Sequence, residues 1–124
     1  MDSTLPAKKK ILVVQTKAPF GSSAIQESLD IVLAAGTFDQ DISLLIEGDA
    51  CYQLLDRQQA DLINKKNTTK MLKALPLYGI DTIFVCAEST SARKIPLIQS
   101  DTVKFINHKD IAKLYKTSDT VIRF

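Results

Sequence analysis

The 124-residue sequence has no tryptophan, one histidine, two cysteines, four glycines and four prolines. Each shortage removes a class of explanation. A flavin site wants aromatic rings to stack on, and this chain has only three tyrosines besides its five phenylalanines. A single histidine, His108, and no Cys/His cluster leave no legible metal site. Cys51 and Cys86 lie far apart and form no CxxC pair, so they read as free thiols of a reducing compartment rather than as a bridge. Charge of one sign is also scarce. Sixteen basic residues against fourteen acidic ones give a net charge of +2. That balance offers no electrostatic footprint for nucleic acid. The one basic run, Lys8, Lys9 and Lys10, reads as a solvated lead-in to a strand. No apolar stretch reaches the length of a membrane span. The polar opening MDSTLPAKKK is not followed by a signal-peptide pattern. The expectation is a cytoplasmic protein with no membrane contact and no bound cofactor.

What is present is an ordered series of apolar segments. Apolar residues make up 45% of the chain, enough to fill one core at this length without disulfides or metal. Residues 10–16, KILVVQT, form a β-branched run that reads as a buried strand. The turn APFGSSA follows. A helix is predicted from Ser23, with Gln26 completing a capping box. Ile25, Leu29, Val32 and Leu33 recur at helical spacing, Ile31, Ala34 and Ala35 widen that stripe, and Gly36 is a plausible stop. Residues 42–48 read as a second strand, 48–55 as a loop-to-helix turn with an apolar tail, and 56–66 as polar surface. Asn67 can cap a helix carrying Met71, Leu72, Leu75 and, at its end, Leu77, broken by Pro76 and Gly79. Residues 82–88 form a third strand, followed by the polar segment STSARK. Residues 101–107 read as a strand, Asn107 as the cap of a short helix through Leu114, and 120–124 as a last strand. The alternation β-α-β-α-β-(α)-β-α-β predicts a three-layer α/β/α domain with a central, mostly parallel five-stranded sheet, flavodoxin-like in outline. No linker or repeat divides it. One domain spans 1–124, with 1–9 as a polar lead-in.

In such sheets ligands bind beyond the carboxyl ends of the strands. Three segments qualify. The first, PFGSSA, could hold an anion through Gly21, Ser22 and Ser23 at a helix N-terminus. It lacks GxGxxG and a P-loop lysine, so an ordinary capped turn is the plainer reading. The second, residues 47–52, contains Cys51, which reads as packing. The third begins at Cys86, at the end of a buried strand, with Ser89, Thr90 and Ser91 offering a helix cap. A thiol near a helix N-terminus can become a nucleophile, and a persulfide carrier needs little more than an accessible thiolate and an exchange partner. Against this, Glu88 would disfavour the thiolate, and no histidine is near in sequence. The alternative is a small buried filler. His108, opening a helix among polar neighbours, reads as a surface residue.

Four stretches, ILVVQTKAPFGSSAIQESLD, LLIEGDACYQLL, LPLYGIDTIFVCAEST and DTVIRF, together resemble the TusC/DsrF-like branch of the DsrE/DsrF/DsrH sulfur-relay family. They cover nearly the whole chain beyond Ala7, in the same order and at similar spacing. The resemblance implies the three-layer fold just described. It also implies assembly with TusB-like and TusD-like chains into a hexamer with two of each. That complex relays persulfide sulfur, by way of a TusE-like acceptor, toward 2-thiolation of the wobble uridine of certain tRNAs; Dsr counterparts serve intracellular sulfur oxidation. In the family the active cysteine is usually on the TusD/DsrE subunit, in a pattern resembling Cys-x-Ala-Ala followed by Arg-Gly. Cys86 occupies the comparable strand end, but Ala87, Glu88 and Ser89 follow it, and Arg93 is succeeded by Lys94 where the glycine is expected. The resemblance therefore implies an auxiliary subunit. The alternatives are a carrier with Cys86 as its persulfide site and, apart from the family, a small anion- or nucleotide-binding module.

Overall fold

The computed structural model describes residues 9–18, 23–37, 41–54, 75–80, 82–96 and 102–124. Five strands, β1 (Lys10–Gln15), β2 (Asp41–Ile46), β3 (Ile83–Cys86), β4 (Val103–Ile106) and β5 (Thr120–Arg123), form one sheet in the order β4-β3-β2-β1-β5. Every neighbouring pair is parallel. Three α-helices are described: α1 (Ala24–Thr37), α2 (Ala87–Ala92) and α3 (His108–Thr117). Two 3-10 turns, Gly48–Leu54 and Leu75–Tyr78, complete the set.

The unbroken apolar runs of the central strands follow from having cover on both faces. Side chains alternate between faces. Val13, Leu44, Ile46 and Val85 therefore point to one core with Ile25, Leu29 and Val32 of α1. Leu12, Val14 and Leu45 point to the other, with Ile106 and Ile111 and with Leu114 of α3 packed against them. Each fully buried Leu, Ile or Val of these layers contributes about 1.5–3 kcal/mol relative to exposure.

The predicted elements stand with shifted ends. The helix after β1 does follow Ser23, but the capping box with Gln26 does not form. Ser23 Oγ donates to Glu27 Oε1 at 2.6 Å, and the Gln26 amide donates to Asp30 at 3.0 Å. Gly36 does not stop this helix, which runs to Thr37. The second strand ends at Ile46 rather than at residue 48, because Gly48 takes φ +60°, a conformation suited to glycine, and starts a 3-10 turn. The third strand ends at Cys86, two residues early, and STSARK is no plain polar loop: α2 begins at Ala87 and Cys86 itself is its N-cap. Asn107 caps α3 as predicted, its side chain accepting from the Asp110 N–H at 2.9 Å. That helix continues past Leu114 to Thr117. The polar segment 56–66 and the helix predicted from Asn67 lie outside the described residues up to residue 74.

Most of LLIEGDACYQLL is consumed internally: Leu44, Leu45, Ile46, Ala50, Cys51 and Leu54 are buried. Among the large apolar side chains described, Ile31, Tyr52 and Leu77 are exposed, Leu77 at 86%.

Candidate functional site at the β3 and β4 strand ends

The chain leaves β3 through α2, and Ile95 just beyond that helix packs into the α1-side core. It leaves β4 through α3, whose Ile111 packs into the opposite core. The two connections diverge to opposite faces, the arrangement at which open parallel sheets place a crevice beyond the strand ends. Cys86 closes β3 at the floor of this crevice. It pairs in register with Ile106 of β4.

The Cys86 side chain is buried, with the residue 1% exposed, on the α3 side of the sheet. Its sulfur is not idle. Sγ accepts from the Ser89 N–H at 3.4 Å, capping α2, and lies 3.7 Å from Glu88 Oε1, to which the thiol can donate. Thr90, also buried, returns its hydroxyl to the Ala87 carbonyl at 2.8 Å and tightens the same turn. Glu88 spans the crevice. Its Oε2 accepts from the backbone N–H of His108 at 3.1 Å, and its Oε1 lies 4.0 Å from His108 Nε2. The His108 N–H is the main cause holding the Glu88 carboxyl below its ordinary pKa. One donor atom each from Cys86, Glu88 and His108 lies within 4.8 Å of the others.

The concern that Glu88 stands close to the thiol is borne out by this geometry. The separation of Cys86 from any histidine is not: His108 is 22 positions away in the chain and adjacent in space. The parallel register explains it. Cys86 and Ile106 are partners, so Glu88 and His108, each two residues further on, emerge side by side. The helix cap offered by Ser89, Thr90 and Ser91 is instead supplied by Cys86.

The segment after β2 joins the site from behind. The Gly48 N–H donates to Ser89 Oγ at 2.9 Å, and Arg93 pairs with Asp49 at 2.9 Å. These contacts tie the Gly48–Leu54 turn to α2. Cys51 in that turn faces the other core, its Sγ 3.8 Å from the Ile46 carbonyl, so the two cysteines occupy opposite sides of the sheet. Both are free thiols. Burial pushes the Cys51 thiol up to about 12.

The candidate anion loop is not brought to this crevice among the described residues. Gly21 and Ser22 lie outside them, and the Ser23 hydroxyl is committed to the Glu27 carboxylate.

The family model described as DsrE/DsrF-like family matches residues 9–124. This chain belongs to the DsrE/DsrF-like family. Among relatives, "Protein TusC" of Buchnera aphidicola is 34% identical over 94% of this chain and 99% of its own length. "Protein TusC homolog" of Vibrio parahaemolyticus is 43% identical over 69% of this chain and 71% of its own. Among solved structures, the ychN protein from E. coli superposes with a TM-score of 0.80 at 26% identity, over 94% of this chain and 99% of that one. A conserved protein of unknown function from Bacteroides thetaiotaomicron shares the fold at a TM-score of 0.67 and 12% identity, over 94% of this chain and 95% of its own.

Membership gives the α2 terminus a sharper meaning. Where the resemblance leads one to expect Arg-Gly, this DsrE/DsrF-like chain has Arg93-Lys94, and Lys94 sits at φ +55°. The Lys94 N–H bonds the Ser91 carbonyl at 3.1 Å and the Ile95 N–H bonds the Thr90 carbonyl at 2.9 Å. This is the paired bonding of a Schellman termination, whose left-handed position favours glycine. Here a lysine adopts the left-handed conformation that glycine usually fills.

Proposed function

We propose that this chain is an auxiliary subunit of a TusBCD-like sulfur-relay complex that passes persulfide sulfur toward 2-thiolation of the tRNA wobble uridine. In this reading it works in the cytoplasm with TusB-like and TusD-like subunits, two of each, delivers to a TusE-like acceptor through them, and does not itself bind nucleic acid. No helix among the described residues is long and apolar enough to cross a membrane. Family membership over residues 9–124 supports the relay. The observation that carries the auxiliary role is the state of Cys86: its sulfur is buried, caps α2, and is hydrogen-bonded to the Glu88 carboxylate at 3.7 Å. A sulfur carrier needs its sulfur accessible and readily ionised.

The test is reconstitution with TusB-like and TusD-like chains, followed by a persulfide donor and intact-mass and peptide mass spectrometry. The expected result is a hetero-oligomer by light scattering, with the added sulfur on a partner's cysteine. A soluble monomer indifferent to those partners, or added sulfur on Cys86, overturns the auxiliary reading. One observation favours a second reading, in which Cys86 carries the persulfide in tRNA thiolation or in Dsr-type sulfur oxidation. Glu88 can take the thiol proton directly, and His108 stands beside Glu88 to pass it to solvent.

A further inference from the structure

Cys86, Glu88 and His108 supply a sulfur, a carboxylate oxygen and an imidazole nitrogen within 4.8 Å of one another, the one such group of metal-type donors among the described residues. Sulfur, nitrogen and oxygen donors of these three side chains are the ligand types of zinc. The known ligand distances of about 2.0–2.3 Å place tetrahedral donors about 3.4–3.7 Å apart. The Sγ–Oε1 separation of 3.7 Å is already there, and the Oε1–Nε2 separation of 4.0 Å exceeds it slightly. The two ligands that would have to close are the exposed ones. The Glu88 and His108 side chains are 45% and 71% exposed, whereas Cys86 is fixed in the sheet.

The scaffold presents these donors from rigid positions. Cys86 is locked as the cap of α2. Glu88 is anchored through Oε2 on the His108 N–H, which leaves Oε1 turned to both the sulfur and the imidazole. His108 is the first residue of α3, held there by the Asn107 cap.

We propose that Cys86, Glu88 and His108 form a binding site for a thiophilic divalent cation, zinc by ligand type, at the divergence of β3 and β4. Binding converts the Cys86 thiol to a metal-bound thiolate, forms the Zn–S bond and releases one proton to solvent, with no change of oxidation state. Three protein ligands leave a fourth, outward position for water or for a group on a partner. Occupancy clamps α2 to α3 across the crevice and withholds Cys86 from sulfur exchange.

The experiment uses the reduced, metal-stripped, untagged full chain titrated with Co2+ and followed by absorption, then with Zn2+ in competition. It needs neither partners nor a sulfur donor, so its outcome is independent of the relay reading. The expected result is a thiolate-to-cobalt charge-transfer band that saturates at one equivalent, is displaced by Zn2+ and is accompanied by a rise in Tm. Cys86→Ser removes the band. His108→Ala and Glu88→Gln each weaken Zn2+ binding by about tenfold or more, while Cys51→Ser leaves the band in place. Circular dichroism of each variant shows that it is folded, and His108 and Glu88 are exposed enough to be changed without unfolding the chain. Absence of the charge-transfer band in the unmodified chain overturns the proposal. So does its survival in Cys86→Ser, or Zn2+ affinity within about twofold of the parent in both His108→Ala and Glu88→Gln.

Discussion

The two cysteines stand near the ends of adjacent strands and are equally buried, yet their surroundings differ in kind. Cys51 Sγ has the Ile46 carbonyl as its polar neighbour, inside the α1-side core. Cys86 Sγ has a backbone N–H donor and a carboxylate, at the rim of the other core. Burial alone makes a thiol inert, as it does Cys51. The same burial beside an aimed N–H, a carboxylate and a histidine places the Cys86 sulfur in a cluster of polar donors. The difference is one of address: the crevice at β3 and β4 is where the connections part to opposite faces, while the Gly48–Leu54 turn is pinned shut against α2.

Alkylation is the most severe trial of this contrast. With its pKa near 12 against an ordinary 9.0, the thiolate fraction of Cys51 at pH 8 is on the order of a thousandfold below that of a free cysteine. Peptide mapping after iodoacetamide treatment of the native chain is expected to find Cys86 modified first and Cys51 protected until unfolding. Equal rates at the two positions would erase the distinction.

Serine replacement gives the next largest effect. Cys51→Ser places a hydroxyl in the apolar core and is expected to cost about 1–3 kcal/mol in urea unfolding. Cys86→Ser puts a preferred N-cap residue at an N-cap position and is expected to stay within about 0.5 kcal/mol. Equal losses would mean that Cys86 serves packing alone.

Stability against pH should separate the two ends of the scale. The folded pKa of Cys51 is raised, so its contribution is full below about 9 and is lost as pH climbs towards about 12; Cys51→Ala should flatten that limb. The folded pKa of Glu88 is lowered, so its contribution is present above its ordinary 4.5 and is lost as pH falls through the lower folded value. Glu88→Gln should shallow the acid limb in a thermal-melt series, and an unchanged acid limb would argue against the Glu88–His108 contact in solution.

Lys94→Gly carries the smallest change. Relieving a left-handed non-glycine residue at the end of α2 is expected to stabilise by up to about 1 kcal/mol, offset in part by the greater freedom of glycine in the unfolded chain. A measurable loss would mean that the Lys94 side chain has a role beyond the turn.

Much of the architecture is local chemistry and was legible. KILVVQT, ISLLIEG and TIFVCAE are too uniformly apolar for a sheet wet on one side, so cover on both faces followed from them. Asn107 announced α3 because a short polar side chain can take an N–H that the first turn leaves unpaired. The errors were also local. Gln26 has the spacing of a capping box, but Ser23 and Glu27 found each other first. Cys86 is not legible as a cap because thiols seldom serve as one, and STSARK has no apolar stripe to announce a helix. Cys86 and the glycine departure at Lys94 were visible as residues, while the backbone that makes Lys94 unusual was not.

By itself the sequence determined the order of the elements, the burial of the strands and the family to which the chain belongs, because these rest on side-chain periodicity and on residues near one another in the chain. Only the tertiary structure decided that Cys86, Glu88 and His108 form one group. That depends on β3 and β4 being neighbours, parallel, with Cys86 opposite Ile106. A one-residue slip of that register would turn Ile106 to the other face of the sheet and shift the start of α3, so that His108 no longer follows opposite Glu88.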